Sequence, residues 1–189
     1  RKGQRREGEY SMADIGLSAF SVFFMGSPSF LAHQRALEEG QGRSNCQTLF
    51  GMTAVPSDAY IRLMLDGASP AAFDPLFFKT IETEGVLAPF QRLGGRTLIA
   101  LDGTEHFCSR KIHCKRCSTR RRSDGGTEYF HSFLGASIVA PGHSRVLPLP
   151  AEFMAPRDGA EKQDCERNAA KRWLARHGPA VAQLRPIYL

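Results

Sequence analysis

The stretch that most constrains the fold of this chain runs from Leu98 to Thr104 and reads Leu-Ile-Ala-Leu-Asp-Gly-Thr. Its four apolar residues follow a glycine pair and predict a buried strand of the kind that lies at the centre of a mixed sheet. The strand delivers one carboxylate, Asp102, and Gly103 then allows the backbone to turn sharply. A carboxylate in this position either binds a metal or hydrogen-bond donors, or caps the turn with its own side chain.

The chain changes character near residue 95, from helical patterns to strand patterns. Residues 1–95 predict a helical region in which Ser11, Ser27 and Ser57 each cap a helix. A short helix at 45–50 followed by the helix after Ser57 predicts a helix-turn-helix, and hence a possible DNA-binding region. The alternative is an ordinary pair of core helices, in which Arg62 pairs with Asp58 or Asp66.

Residues 96–189 predict four strands and one helix, so the fold class is α+β. Thr127–Ala140 is rich in β-branched and aromatic residues and predicts a long second strand, and 145–149 predicts a third. These strands should form an antiparallel meander with the first. Asp158 with Glu161 resembles a capping box that opens a helix to about Arg176, and 184–189 predicts a fourth strand beside the first.

Positive charge is concentrated between the first two strands. The formal net charge is +6 and the sequence pI is about 9.3. A basic run without acids favours a polyanionic partner, most simply double-stranded DNA held through its phosphates. The alternative is a solvated loop without a partner. The candidate DNA-binding residues are Lys111, Lys115, Arg116, Arg120, Arg121 and Arg122.

Two cysteines in this segment have a spacing typical of metal sites. Cys114-Lys-Arg-Cys117 has the two-residue gap that lets both thiolates reach one Zn²⁺. The further ligands would come from Cys108, His113 and His131, with His131 preferred, and the alternatives are free thiols or a redox pair. Five cysteines, irregularly spaced and without a signal peptide, favour a reducing cytoplasm. The most apolar stretch, 15–25, is too short to span a bilayer, so no membrane association is predicted.

Several blocks, in order, resemble the DDE transposases of bacterial insertion sequences, which have an RNase H-like core. Together they cover most of the chain, although no single block is specific. The blocks are Ile99-Ala-Leu-Asp102-Gly-Thr104, Pro56-Ser-Asp58 with Arg62, Leu65-Asp66, Lys111-Ile-His-Cys114 with Cys117, Tyr129 with His131, and Lys162-Gln-Asp-Cys-Glu166 with Ala169, Ala170 and Lys171. In that family Cys114 and Cys117 are typical, while the position of Cys108 often holds Ser.

The resemblance implies that residues 96–189 are the first half of an RNase H-like catalytic domain, with a cysteine-rich and basic insertion at 105–126. Asp102 would be the first of three acids that bind Mg²⁺, and the second Asp and the Glu are expected beyond Leu189. The implied activity is cleavage and joining of transposon ends, and the sequence leaves open whether the chain acts as a monomer or a homo-oligomer. An incomplete, inactive fragment is therefore expected here, and the alternative is a non-enzymatic DNA-binding module with a zinc-stapled basic loop.

Overall fold

A computed structural model describes residues 10–40, 43–52, 55–156 and 164–189. The chain divides into two compact units, residues 1–69 and 70–189, whereas the sequence placed the change at residue 95. The difference arises because Ile81 and Phe90 are buried in the same core as the sheet. The helical segment before the first strand therefore belongs to the second unit. The predicted capping box at Asp158 and Glu161 lies outside the described residues.

The first unit is helical, as its apolar spacing predicts. Ser11 and Ser57 cap their helices by accepting hydrogen bonds from the backbone N–H groups of Asp14 and Tyr60. The cap of the second helix is Ser29 and not Ser27, because the Ser27 hydroxyl instead contacts a histidine ring. Arg62 pairs with Asp58 at 4.0 Å, as expected for neighbours one turn apart. The helices are α1 (Met12–Phe24), α2 (Phe30–Glu38), α3 (Arg43–Thr48) and α4 (Asp58–Asp66).

The second unit contains a five-stranded mixed sheet, so the α+β class is confirmed. Short 3-10 helices occupy Pro70–Phe73, Ala88–Phe90 and Ala182–Leu184. The strands are β1 (Thr97–Ser109), β2 (Ser118–Arg121), β3 (Thr127–Val139), β4 (Leu147–Met154) and β5 (Pro186–Tyr188), and the helices are α5 (Asp74–Ile81) and α6 (Glu166–Val181).

The sheet is built around β1 and β3. These strands pair antiparallel along almost their whole length, and the other edge of β3 pairs first with β2 and then with β4. β5 runs parallel to the opposite edge of β1. The predicted meander and the fourth strand beside the first are confirmed, but β2 was not predicted. Because β1 continues to Ser109 and β2 follows, nine residues of the segment 105–126 lie in strands, and the loops 110–117 and 122–126 make up the rest.

The two sides of the sheet have different surroundings. On the side that α6 covers, Ile99, Leu134 and Ile138 pack with the fully buried Trp173; we call this the helix face. Side chains alternate along a strand, so Asp102 lies on the opposite side with His131 and Phe133. We call that side the Asp102 face.

Gly103 serves a different purpose from the sharp turn that the sequence suggested. β1 passes straight through it, and Gly103 lies on the helix face, where an added Cβ would overlap the carboxylate of Glu166. Glycine therefore leaves room for the Glu166 carboxylate against the strand. The same helix continues through Gly178 and Pro179, where the sequence predicted its end, and its last turn buries Val181. None of the described helices has the length and apolarity needed to cross a bilayer.

Candidate metal centre and basic loop

The open end of the β2–β3 hairpin, away from its turn, brings together three side chains, those of Cys114, Cys117 and His131. Ser118 pairs with Phe130, so Cys117, one residue earlier, is level with His131 on the neighbouring strand. Cys114 is brought back by a tight turn in which the backbone N–H of Cys117 donates to its carbonyl at 3.2 Å. Among the described residues these three form the only group of at least three potential metal ligands. We call them the metal trio.

The ligand atoms of the metal trio lie close enough to share one ion. The two sulfurs are 3.9 Å apart, and His131 Nε2 lies 3.4 Å from the sulfur of Cys114 and 3.3 Å from that of Cys117. Both sulfurs also accept backbone hydrogen bonds, at 3.3 Å from Arg116 N and 3.2 Å from Cys114 N. Such donors stabilise thiolates, the form of cysteine that binds metals.

The other candidate ligands of the sequence are held elsewhere. Cys108 pairs with Phe130 across β1 and β3, and its sulfur contacts Arg120 at 3.6 Å on the helix face. It therefore lies on the opposite side of the sheet from the metal trio. The ring of His113 stacks on Tyr129 at 4.2 Å, while its Nδ1 contacts the carbonyl of Lys111.

The metal trio closes an exposed loop, residues 110–117, which we call the basic loop. Lys111, Lys115 and Arg116 are exposed on it and form no ion pair with any described residue. Arg110 instead pairs with Asp124 at 3.3 Å. The basic loop thus presents three uncompensated cations next to the metal trio.

The three consecutive arginines 120–122 differ in their ion pairs. Arg120 donates to Glu128 and to Glu105, and Arg122 donates to the other oxygen of Glu128 at 2.8 Å. The hydrogen bond from Arg120 lowers the pKa of Glu128 to about 2, and the pairing raises the pKa of Arg120. Arg121 points to the other side of the sheet, because side chains alternate along β2, and it forms no ion pair with a described residue.

Glu128 is the residue that the sequence analysis missed. It is buried, with 6% of its surface exposed, and its carboxylate offsets charge of Arg120 and Arg122, whose side chains remain partly exposed. A signal for it exists in the sequence. Asp124-Gly-Gly at the centre of a five-residue hairpin turn places Arg121 opposite Thr127 and therefore Arg120 opposite Glu128.

Asp102 is exposed on the Asp102 face, at the middle of β1. Asp102 pairs with Gly135, and His131 lies four residues from Gly135 along β3, or about 13 Å at a rise of about 3.3 Å per residue. Asp102 and the metal trio therefore share one face of the sheet but are two separate sites. Asp102 belongs to no group of three potential ligands among the described residues.

The other acids considered from the sequence have structural partners. Glu105 pairs with Arg120. Glu152 and Asp164 both accept hydrogen bonds from Arg172, at 2.6 and 2.7 Å, which ties α6 to β4. Glu166 lies against Gly103 on the helix face. Asp102 is thus the one carboxylate of this set on its face of the sheet.

Comparison with known protein families, with curated proteins and with solved structures finds no significant match to this chain.

Proposed function

We propose that the chain is part of a DDE-type DNA transposase with an RNase H-like catalytic domain. The observation that carries the proposal is the position of Asp102, an exposed carboxylate on the central strand of a mixed sheet. In this proposal Asp102 is the first Mg²⁺ ligand, and the basic loop contacts the DNA backbone.

The order of strands supports the proposal. Three antiparallel strands, β1, β3 and β4, are followed by α6 and then by β5, which returns parallel to β1. This is the succession that the RNase H-like resemblance implies. The short β2 is an addition at the edge, where it extends the hairpin that bears the metal trio.

The end of β5 supports it further. Leu101 N donates to the carbonyl of Leu189 at 3.1 Å, and Leu189 N donates to the carbonyl of Ile99 at 3.0 Å. In a longer polypeptide, the same register would therefore place the second residue after Leu189 beside Asp102 on the adjacent strand. A second carboxylate there could share a metal ion with Asp102.

The described residues alone do not fit a Mg²⁺ site of this class. Two-metal phosphoryl transfer needs several carboxylates that converge on the ions. Asp102 is the only one of the considered acids on its face of the sheet, since Glu105, Glu152 and Glu166 belong to the helix face. We therefore expect no Mg²⁺-dependent cleavage from these residues by themselves.

The metal trio fits Zn²⁺. With Zn–S bonds of about 2.3 Å and Zn–N bonds of about 2.05 Å, tetrahedral geometry requires about 3.8 Å between sulfurs and about 3.6 Å between sulfur and nitrogen. The distances here are 3.9 Å and 3.3–3.4 Å. Two thiolates and an imidazole are also the ligand types that zinc prefers. Zinc would fix the turn from Cys114 to Cys117 against β3 and so hold the cations of the basic loop in place.

A second candidate function is a non-enzymatic DNA-binding module. The uncompensated cations Lys111, Lys115, Arg116 and Arg121 favour it, because they can neutralise phosphates without any contribution from Asp102. The two candidates differ in what Asp102 does. In the module it is an exposed surface acid, whereas in the transposase it is a metal ligand.

The experiment that separates them compares the 189-residue chain with a chain extended by the sequence encoded after the Leu189 codon, where the resemblance expects the second Asp and the Glu. We expect Mg²⁺-dependent nicking of duplex DNA only by the extended chain. Asp102→Asn should abolish it and leave DNA affinity unchanged, since Asn keeps the shape but loses the charge that binds the metal. Cleavage that survives Asp102→Asn, or an extended chain that binds DNA but never cleaves it, would contradict the transposase proposal.

A further inference from the structure

We infer that the metal held by the metal trio keeps one coordination position open to solution, where it accepts a small monodentate donor that can exchange. The inference rests on the proposed zinc site and adds a property to it. A closed structural zinc site has four protein ligands, whereas three protein ligands leave the fourth position to a molecule from solution.

The described residues provide no fourth ligand. Cys108, which the spacing of the sequence would have suggested, is separated from the metal trio by the sheet itself, because it lies on the helix face. To bind the same ion, its strand would have to shift by one residue, and every side chain of β1 beyond the bulge at Glu105 to Phe107 would change sides.

Two nearby histidines make other contacts, and their ring nitrogens do not converge with the ligand atoms of the metal trio. His113 is stacked face to face on Tyr129 and contacts the Lys111 carbonyl through Nδ1. His106 stacks on the ring of His131 itself, with 5.8 Å between ring centres, and is not among the atoms that converge. The His106 ring also contacts the rings of Phe133 and Phe153.

Exposure indicates where the open position lies. Cys117 is buried, with 7% of its surface exposed, and His131 is half-buried, whereas Cys114 is exposed. Protein therefore surrounds one side of the metal trio and solvent the other. The free vertex of a tetrahedral ion must point to the solvent side, beside the exposed backbone of the basic loop.

Charge indicates which donors suit the position. Two thiolates balance the charge of a divalent ion, so a neutral nitrogen or oxygen donor completes the site without adding charge. Imidazole has this chemistry and is small enough to approach an exposed vertex. It is therefore the probe of choice.

The test uses the full chain loaded with Co²⁺, whose visible absorption reports the ligands of the ion. We expect imidazole to shift the absorption bands in a saturable way, and dialysis to restore them. The Cys108→Ser variant should give the same spectrum and the same half-saturation, because Cys108 lies across the sheet. X-ray absorption of the zinc-loaded chain should show two sulfur neighbours and two lighter ones.

Two results would overturn the inference. Three sulfur neighbours would mean that another cysteine completes the site. A spectrum that millimolar imidazole leaves unchanged would mean that a protein donor, present at an effective concentration of about millimolar or more, already fills the position. Either result leaves the zinc proposal standing, whereas failure of the chain to bind Co²⁺ or Zn²⁺ at all would remove both.

Discussion

The sharpest consequence of the structure is that the adjacent residues Arg121 and Arg122 should contribute unequally to DNA binding. The two side chains have the same charge, but Arg122 is paired with the buried Glu128, and Arg121 lies with the metal trio on the Asp102 face. A cation whose charge is already balanced by an internal carboxylate adds less net positive charge towards a phosphate, and so should release fewer counterions. Sequence alone treats the two as equivalent, so this pair of variants tests the structure directly.

The magnitude follows from a count of the uncompensated cations. If Lys111, Lys115, Arg116 and Arg121 each neutralise one phosphate, the slope of log affinity against log salt is about −0.9 × 4, or about −3.6. Between 50 and 200 mM salt, a fourfold change, the affinity should then fall about 150-fold. Arg121→Ala should change the slope to about −2.7, and Lys115→Ala with Arg116→Ala to about −1.8.

The assay is the binding of a short labelled duplex, followed by fluorescence anisotropy at four salt concentrations. Arg122→Ala is the matched control and should keep the slope of the unmodified chain, because Arg120 still pairs with Glu128. Equal losses of slope for Arg121→Ala and Arg122→Ala would refute the division of the arginines between the two faces. An unchanged slope in the Lys115→Ala, Arg116→Ala variant would remove the basic loop from the DNA contact surface.

Three further predictions concern stability, each measured by urea unfolding followed by circular dichroism. Trp173→Phe should lower the free energy of unfolding by about 2–4 kcal/mol. The variant loses the buried indole N–H that donates to Pro150 O at 2.7 Å, and it leaves a small cavity. A loss below about 1 kcal/mol would contradict that hydrogen bond. The stability that Glu128 contributes through Arg120 should be complete above pH 4.5 and disappear as the pH falls towards 2, since its pKa is about 2 in the folded chain. Glu128→Gln should therefore lower the free energy of unfolding more at pH 7 than at pH 2.5, and an equal loss at the two pH values would contradict this. Burial holds the pKa of His177 below 6.5. The unfolded chain therefore binds more protons than the folded chain, and the free energy of unfolding should fall as the pH drops below 6.5. His177→Gln should weaken this pH dependence, and an identical pH profile for the variant would contradict the prediction.

The sequence predicts the centre of the sheet well, because its signal is local. The apolar run before Asp102 and the β-branched run after Thr127 identify β1 and β3, and turns at predictable places then require them to be antiparallel. The metal trio was also predictable, since the Cys114–Cys117 spacing limits the partner to a few residues and His131 was the preferred one.

The features that escaped prediction depend on contacts between distant residues. Glu128 offsets the charge of Arg120 and Arg122, but this effect depends on the pairing of β3 with β2, a strand that was not predicted. Gly103 gains its purpose from Glu166, more than sixty positions later in the chain. The unit boundary at residue 69 likewise follows from the burial of Ile81 and Phe90 against the sheet, which the sequence of the helical segment does not reveal.

The metal content of the purified chain tests the account most directly, because both the fixed basic loop and the open coordination position depend on the metal trio. Elemental analysis and native mass spectrometry of protein prepared without chelators should find one zinc per chain, and Cys114→Ser with Cys117→Ser should lose it. The matched control, Cys108→Ser, should retain the full zinc content, since its sulfur lies on the helix face. A chain without zinc, or zinc that remains after Cys114 and Cys117 are both replaced, would contradict the account.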